Sequence, residues 1–216
     1  GETGGGGVGL AGPLLSPGMK PNRLEAFSDG VLAIVITIMV LTLQVPTGDA
    51  TASFSSLLSA DLLPAVASYV LSFVYVAIYW NNHHHLLTTV QTVTAGVMWA
   101  NMHLLFWLSL VPFATAWMGR NAGAAAPAAL YGMVLLACAV AYYILGRTII
   151  GASGPASTLA QAVGWDRKNV VSVLLYLAGI VIAFAWVPAS YALFAAVAVL
   201  WIIPDRRIQP TMDGRT

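Results

Sequence analysis

The chain has 216 residues, of which 59% are hydrophobic and 8% are charged, and its mean hydropathy is +0.81. Soluble domains carry about a quarter charged residues, so this composition indicates a polytopic membrane protein. The formal net charge of +1 gives no electrostatic basis for binding nucleic acid, and no nucleic-acid partner is expected.

The N-terminal segment, residues 1–18, is rich in glycine and proline and lacks the basic start and continuous apolar core of a signal peptide. This composition predicts a disordered leader, or a remnant added to the natural chain, since Met19 could be a natural start. We therefore expect a six-helix transmembrane domain at residues 19–208 and a flexible C-terminal tail at residues 209–216.

Six apolar stretches reach bilayer length, which predicts an all-α membrane protein with six transmembrane helices. Pro112 lies inside the third stretch and is expected to kink it, and Pro188 is expected to separate the last two stretches. The predicted spans cover residues 24–45, 62–80, 90–118, 127–150, 170–187 and 189–203.

Basic residues are distributed unevenly between the two sides that six spans define. Arg120 is alone on one side, whereas the other eight basic residues fall on the opposite side. The positive-inside rule makes the second side the cytoplasm, so both termini are predicted to be cytoplasmic. The eight residues are Lys20, Arg23, Arg147, Arg167, Lys168, Arg206, Arg207 and Arg215.

The first span opens with polar residues that a simple lipid-facing anchor would not carry. Among them, Asp29 is at or just inside the membrane boundary, where a carboxylate is costly unless it is paired or wetted. Ser28 lies about 120° one way round the helix from Ile34 and Asp29 about 140° the other way, so both belong to a polar back face that should pack on other helices. The remaining face is a stripe of Arg23, Phe27, Ile34, Ile38 and Leu41, with Thr37 beside it.

Periodicity alone leaves two interpretations of these faces open. In one, both faces make ordinary helix packing, and Asp29 closes a structural hydrogen-bond cluster. In the other, the apolar stripe of the first helix lines a pore.

Two strings resemble the lysosomal potassium channel family, transmembrane protein 175, and its bacterial relatives. The first string is Arg23-x-x-x-Phe27-Ser28-Asp29, followed by Gly30-Val31-Leu32-Ala33-Ile34 and Thr37. The second string ends the second span and reads Trp80-Asn81-Asn82-His83-His84, which is similar to that family's tryptophan–histidine element.

The resemblance implies a homotetramer in which the first helix of each subunit lines a cation pore. In that family, a hydrophobic residue five positions after the motif aspartate forms the gate, which is Ile34 here. The next layers of the pore would be Thr37 or Ile38, and then Leu41. The permeant ions would be K⁺, and neither a cofactor nor a metal site is implied.

The resemblance also implies that the motif residues tie the first helix to its neighbours. This network would consist of Arg23, Phe27, Ser28, Asp29, Trp80, His83 and His84. The sequence has no T-V-G-Y-G loop, so any selectivity must come from rings of side chains, with Thr37 as the candidate.

Consecutive histidines at positions 83–85 suggest a metal site, but their side chains on a helix would point about 100° apart. A structural partner for Asp29 is the stronger interpretation, and pH sensitivity through such a pair is an open alternative. We expect Asn101 and His103 to make interhelical hydrogen bonds and Cys138 to be a buried thiol.

The sequence and its resemblance to this family together predict a passive, potassium-permeable cation channel embedded in the lipid of a bacterial plasma membrane. The alternative is a small proton- or cation-coupled secondary transporter that uses Asp29 and a histidine. An enzyme is not expected, because no nucleophile–base set or adequate metal cluster is apparent.

Overall fold

The structure, a computed structural model, describes residues 20–45, 62–90, 92–153 and 167–202. This part of the chain is all-helical, as predicted. The proposed leader (1–18) and tail (209–216) lie outside the described residues. The helices are α1 Pro21–Val40, α2 Leu62–Leu87, α3 Ala95–Ser109, α4 Val111–Arg120, α5 Ala125–Ser153, α6 Arg167–Ala183 and α7 Val187–Ile202.

The helices correspond to the six predicted spans, because α3 and α4 together form one. Among the described residues, three segments are long and apolar enough to cross a membrane: Leu62–Leu87, Ala95–Arg120 and Ala125–Ser153. The last two helices are apolar but shorter. The first helix has 20 residues, and its opening turns contain Arg23, Glu25 and Asp29. Its N-terminal half is therefore more polar than a lipid-embedded anchor requires.

The third span is interrupted at Leu110, between α3 and α4. Pro112 is the second residue of α4, and it cannot donate a backbone hydrogen bond to the preceding turn. The backbone resumes helical bonding at once, since the Ala114 amide donates to the Leu110 carbonyl at 3.0 Å. The kink expected at Pro112 is thus a one-residue break just before it.

Several helix boundaries differ from those predicted, for local reasons. The second helix continues past Trp80 to Leu87, because the polar residues that follow Trp80 find partners on neighbouring helices. The third begins at Ala95 because Thr94 caps it, its hydroxyl accepting from the Val97 amide. The last begins at Val187 with Pro188 in its first turn, where no amide hydrogen is needed.

The helix α5 is central, packing against α3, α4, α6 and α7, while α1 packs against α2, α3 and α4. A cluster of aromatic rings fills the space between α2, α5, α6 and α7. Phe194 lies at its centre, and a Cβ added at Gly132 or Gly179 would come within 2.5 Å of that ring. Glycine at both positions therefore lets the helices approach closely.

Candidate pore helix and its attachment to the bundle

One face of α1 is packed into the bundle. Its buried residues recur every three to four positions, which is the period of one helix face. Four of the five are apolar and belong to the main hydrophobic core. These buried residues are Leu24, Ser28, Leu32, Val35 and Met39.

The opposite face of α1 is exposed and carries the stripe predicted from the sequence. The exposed fractions of Phe27, Ile34 and Ile38 are 52%, 58% and 45%. Thr37 is exposed beside them, and Leu41, at the C-cap, is 78% exposed. The bundle thus leaves one continuous apolar stripe along α1 uncovered in the single subunit.

The Thr37 hydroxyl lies on this face, and its hydrogen is donated to the backbone of α1. The hydroxyl lies 3.0 Å from both the Ala33 and the Ile34 carbonyl oxygens, to which it donates within the helix. Its oxygen lone pairs are therefore free to face outward, towards a water molecule or a cation.

Two polar contacts, one helical turn apart, join the N-terminal half of α1 to the C-terminal half of α2. The Trp80 indole N–H donates to Asp29 Oδ1 at 3.0 Å. One turn away, His84 Nδ1 lies 2.7 Å from Glu25 Oε1. The Trp80 and His84 rings stack at 6.3 Å between centroids. Because each helix contributes residues four apart, the two contacts also fix how far this antiparallel pair is shifted along the helix axes.

A second network lies deeper and connects three helices. Asn101 Nδ2 donates to Ser28 Oγ at 2.9 Å, and Asn101 Oδ1 lies 2.7 Å from His83 Nε2. Since this amide oxygen can only accept, the imidazole carries its hydrogen on Nε2. His83 Nδ1 is buried without a partner among the described residues, so a charged ring would leave a buried N–H unpaired. The neutral imidazole therefore fits this site.

The predicted motif network is only partly brought together. Ser28 and Asp29 were expected on one polar back face, but Ser28 is buried and Asp29 is at the side of the helix next to α2. Adjacent residues on a helix point about 100° apart, so they reach different neighbours. Asp29 bonds to Trp80, and neither histidine is its hydrogen-bond partner.

Arg23 and Phe27 take no part in these networks. Both side chains are exposed, and within the described residues the Arg23 guanidinium has no hydrogen-bond or ion-pair partner. Both instead lie on the exposed stripe with Ile34.

Sequence reasoning missed Glu25. Its position four residues before Asp29, mirrored by the four-residue spacing of Trp80 and His84, is the signal that could have identified it. Asn101 and His103 were both expected to make interhelical hydrogen bonds. Asn101 does so with two helices, whereas His103 accepts from Trp107 of its own helix. No group of three metal-ligating side chains forms among the described residues, the consecutive histidines included.

Comparison with known proteins gives the context for this geometry. The family model described as the endosomal/lysosomal potassium channel TMEM175 matches residues 23–112. A potassium channel of Chryseobacterium sp. (strain P1-3) is 47% identical over 194 residues, which cover 90% of this chain and 98% of that protein. The chain belongs to the TMEM175 family. Its membrane location and its place among ion channels rather than enzymes follow from that membership.

Other TMEM175 relatives extend the likeness to the fold. A potassium channel of Chamaesiphon minutus is 30% identical, with 85% of this chain and 94% of that protein covered. The crystal structure of a lysosomal potassium-selective channel TMEM175 homologue from Chamaesiphon minutus superposes with a TM-score of 0.71 at 28% identity. The superposition covers 84% of this chain and 96% of that one. Channels of this family need no cofactor.

Proposed function

We propose that this protein is a passive, potassium-permeable cation channel in which four copies of α1 surround the pore. The observation that carries the proposal is the exposed face of α1, which bears the apolar stripe while the opposite face is buried. Relatives that align along most of the chain are named potassium channels, which supports K⁺ as the permeant ion.

The hydrophobic gate of this channel is the ring of Ile34 side chains. An apolar ring at a constriction excludes water, and ions that cannot keep their hydration do not cross it. Ile34 is among the more exposed residues of the stripe, and its neighbours on the same face are Phe27, Ile38 and Leu41. These four rings would make the pore apolar for most of its length.

Selection among cations is assigned to the Thr37 ring, one turn after the gate. Four threonine oxygens whose hydrogens are held by the helix backbone present only lone pairs to the axis. Oxygen atoms in that state can replace part of the hydration shell of a cation.

The contacts at the base of α1 are assigned a structural role. Asp29, Ser28 and Glu25 fix α1 against α2 and α3, so that the stripe faces the axis. The membrane is proposed to be a bacterial plasma membrane, with both termini cytoplasmic because of the basic asymmetry.

The secondary-transporter alternative uses the same acid differently. It needs an ionisable group that alternates between two sides of the membrane near its midplane. The Asp29 carboxylate accepts from Trp80, and the exposed stripe beyond it carries apolar and hydroxyl side chains only. This arrangement favours conduction over coupled transport.

Reconstitution into a planar bilayer with opposed K⁺ and Na⁺ gradients tests the proposal. A channel gives unitary currents whose reversal potential lies on the K⁺ side of zero. A coupled transporter gives no unitary steps, and its flux depends on the partner ion or on a proton gradient. That second outcome would contradict the proposed function.

A further inference from the structure

A stripe of exposed side chains runs the whole length of the span formed by α3 and α4. Its residues are spaced by three, four or seven positions, which keeps them on one face of the helix. Trp99 and Phe113 are 70% and 63% exposed. The stripe consists of Trp99, His103, Phe106, Phe113, Trp117 and Arg120.

His103 is the polar residue of this stripe that lies within the hydrocarbon layer. It is eight residues from the start of a helical span covering Ala95–Arg120. At ~1.5 Å per residue the span is ~39 Å long, so a centred hydrocarbon layer of ~30 Å places His103 ~7 Å inside it. Polar side chains at such depth normally face the interior of the protein or a partner.

The imidazole is also held away from the membrane surface. The Trp107 indole N–H donates to His103 Nε2 at 2.9 Å, and Trp107 is one turn further into the span. The bond draws the ring towards the membrane centre and leaves the hydrogen of the neutral ring on Nδ1. Within the part of the chain that the structure describes, Nδ1 has no acceptor.

We propose that the α3–α4 stripe is the lateral interface between subunits, and that His103 Nδ1 donates a hydrogen bond to a second copy of this chain. The need for an acceptor at hydrocarbon depth selects a protein partner over lipid tails, which offer none. The aromatic residues on either side of His103 supply the packing around that bond. This inference rests on the homotetramer of the proposed function and names a second contact surface, remote in sequence from the pore stripe.

The effect of one substitution on the dissociation constant of the oligomer distinguishes a subunit interface from a lipid-facing stripe. A His103→Leu variant loses the donor, so an interfacial His103 predicts a dissociation constant raised roughly three- to thirtyfold per interface. A lipid-facing His103 predicts an unchanged dissociation constant, because its side chain would have the same lipid surroundings in the separate and in the assembled subunits. His103→Gln keeps an N–H donor and should recover part of the loss. Equal losses in both variants would contradict the hydrogen bond.

Photocrosslinking tests the same surface by proximity. Phe106, which is next to the middle of the span Ala95–Arg120, is replaced by p-benzoylphenylalanine. The same replacement at Leu174 is the depth-matched control, because Leu174 is 60% exposed and is next to the middle of α6. Irradiation in lipid should produce dimers and higher oligomers from position 106, with far fewer from position 174. Adducts at position 106 without a doubling in mass would mean lipid or the chain's own residues, and would overturn the proposal.

The wild-type mass, measured first by light scattering, separates this inference from the proposed function. A monomeric wild type overturns both. A tetrameric, conducting wild type whose assembly is unaffected by His103→Leu overturns the lateral interface alone.

Discussion

Replacing Ile34 with asparagine tests the gate, and the same replacement at the adjacent Val35 is its control. Both changes are nearly isosteric. Ile34 is 58% exposed in the subunit, so less than half of its side chain loses apolar contact. Full burial of such a side chain is worth ~1.5–3 kcal/mol, which gives a cost of about 1 kcal/mol for Ile34→Asn. Val35, 5% exposed, is the matched control. Its replacement by asparagine buries an amide without partners and costs several kcal/mol.

Only one of the two variants should therefore raise the K⁺ flux. Ile34→Asn offers hydrogen bonds to water at the constriction, and lowering the barrier by about 1.4 kcal/mol raises the rate of crossing tenfold. We expect at least that increase in K⁺ flux into proteoliposomes. Val35→Asn should misfold or conduct like the wild type, because its side chain faces the bundle.

The assay must be normalised to folded protein, measured as the oligomer peak on size exclusion before reconstitution. If well-folded Ile34→Asn leaves K⁺ flux unchanged while Val35→Asn raises it, then the assigned pore face is wrong. The gate assignment would be wrong with it.

Three further outcomes are expected. Thr37→Val removes the hydroxyl oxygens from the stripe and should reduce K⁺ preference over Na⁺, measured as a shift in reversal potential towards zero; an unchanged ratio would exclude the Thr37 ring from selection. Asp29→Ala removes the acceptor of the exposed Trp80 indole, at a cost of ~0.5–1.5 kcal/mol, and should diminish the oligomer peak more than it alters selectivity. A normal oligomer yield would mean that Asp29 is not structural. Reporter fusions at Gly18 and Thr216 should both report cytoplasmic locations, and a C-terminus found outside would remove one span.

The helical organisation was predictable because a membrane span is specified by length and hydropathy. The division of α1 into two faces was predictable for a similar reason, since the angle between residues on one helix is fixed. The stripe from Phe27 to Leu41 is exposed, and Val35 is buried behind it. The angle between these two faces depends on α1 alone, whereas the other helices determine which face is buried.

The partners of the polar residues could not be predicted in the same way. Whether Asp29 meets Trp80 or a histidine depends on how α2 is rotated and how far it is shifted along α1, and no residue of α1 specifies either quantity. Pro188 shows a related limit, because proline is compatible with the first turn of a helix as well as with the end of one. The position of Pro188 therefore indicated roughly where the last two helices separate, but not the residue at which α7 begins.

The position of the polar contacts along α1 has a mechanical consequence. Among the described residues, every hydrogen bond or ion pair from an α1 side chain to another helix involves Glu25, Ser28 or Asp29. Beyond them, α1 is held by apolar contacts, which have no preferred direction and allow sliding. If α1 lines the pore as proposed and moves when the pore opens, it would pivot about these residues. For a tilt of about 10°, a rise of ~1.5 Å per residue gives a displacement of ~1.3 Å at Ile34 and ~3 Å at Leu41. The gate would then lie close to the fixed point, so the pore would widen more at its far end than at its narrowest ring.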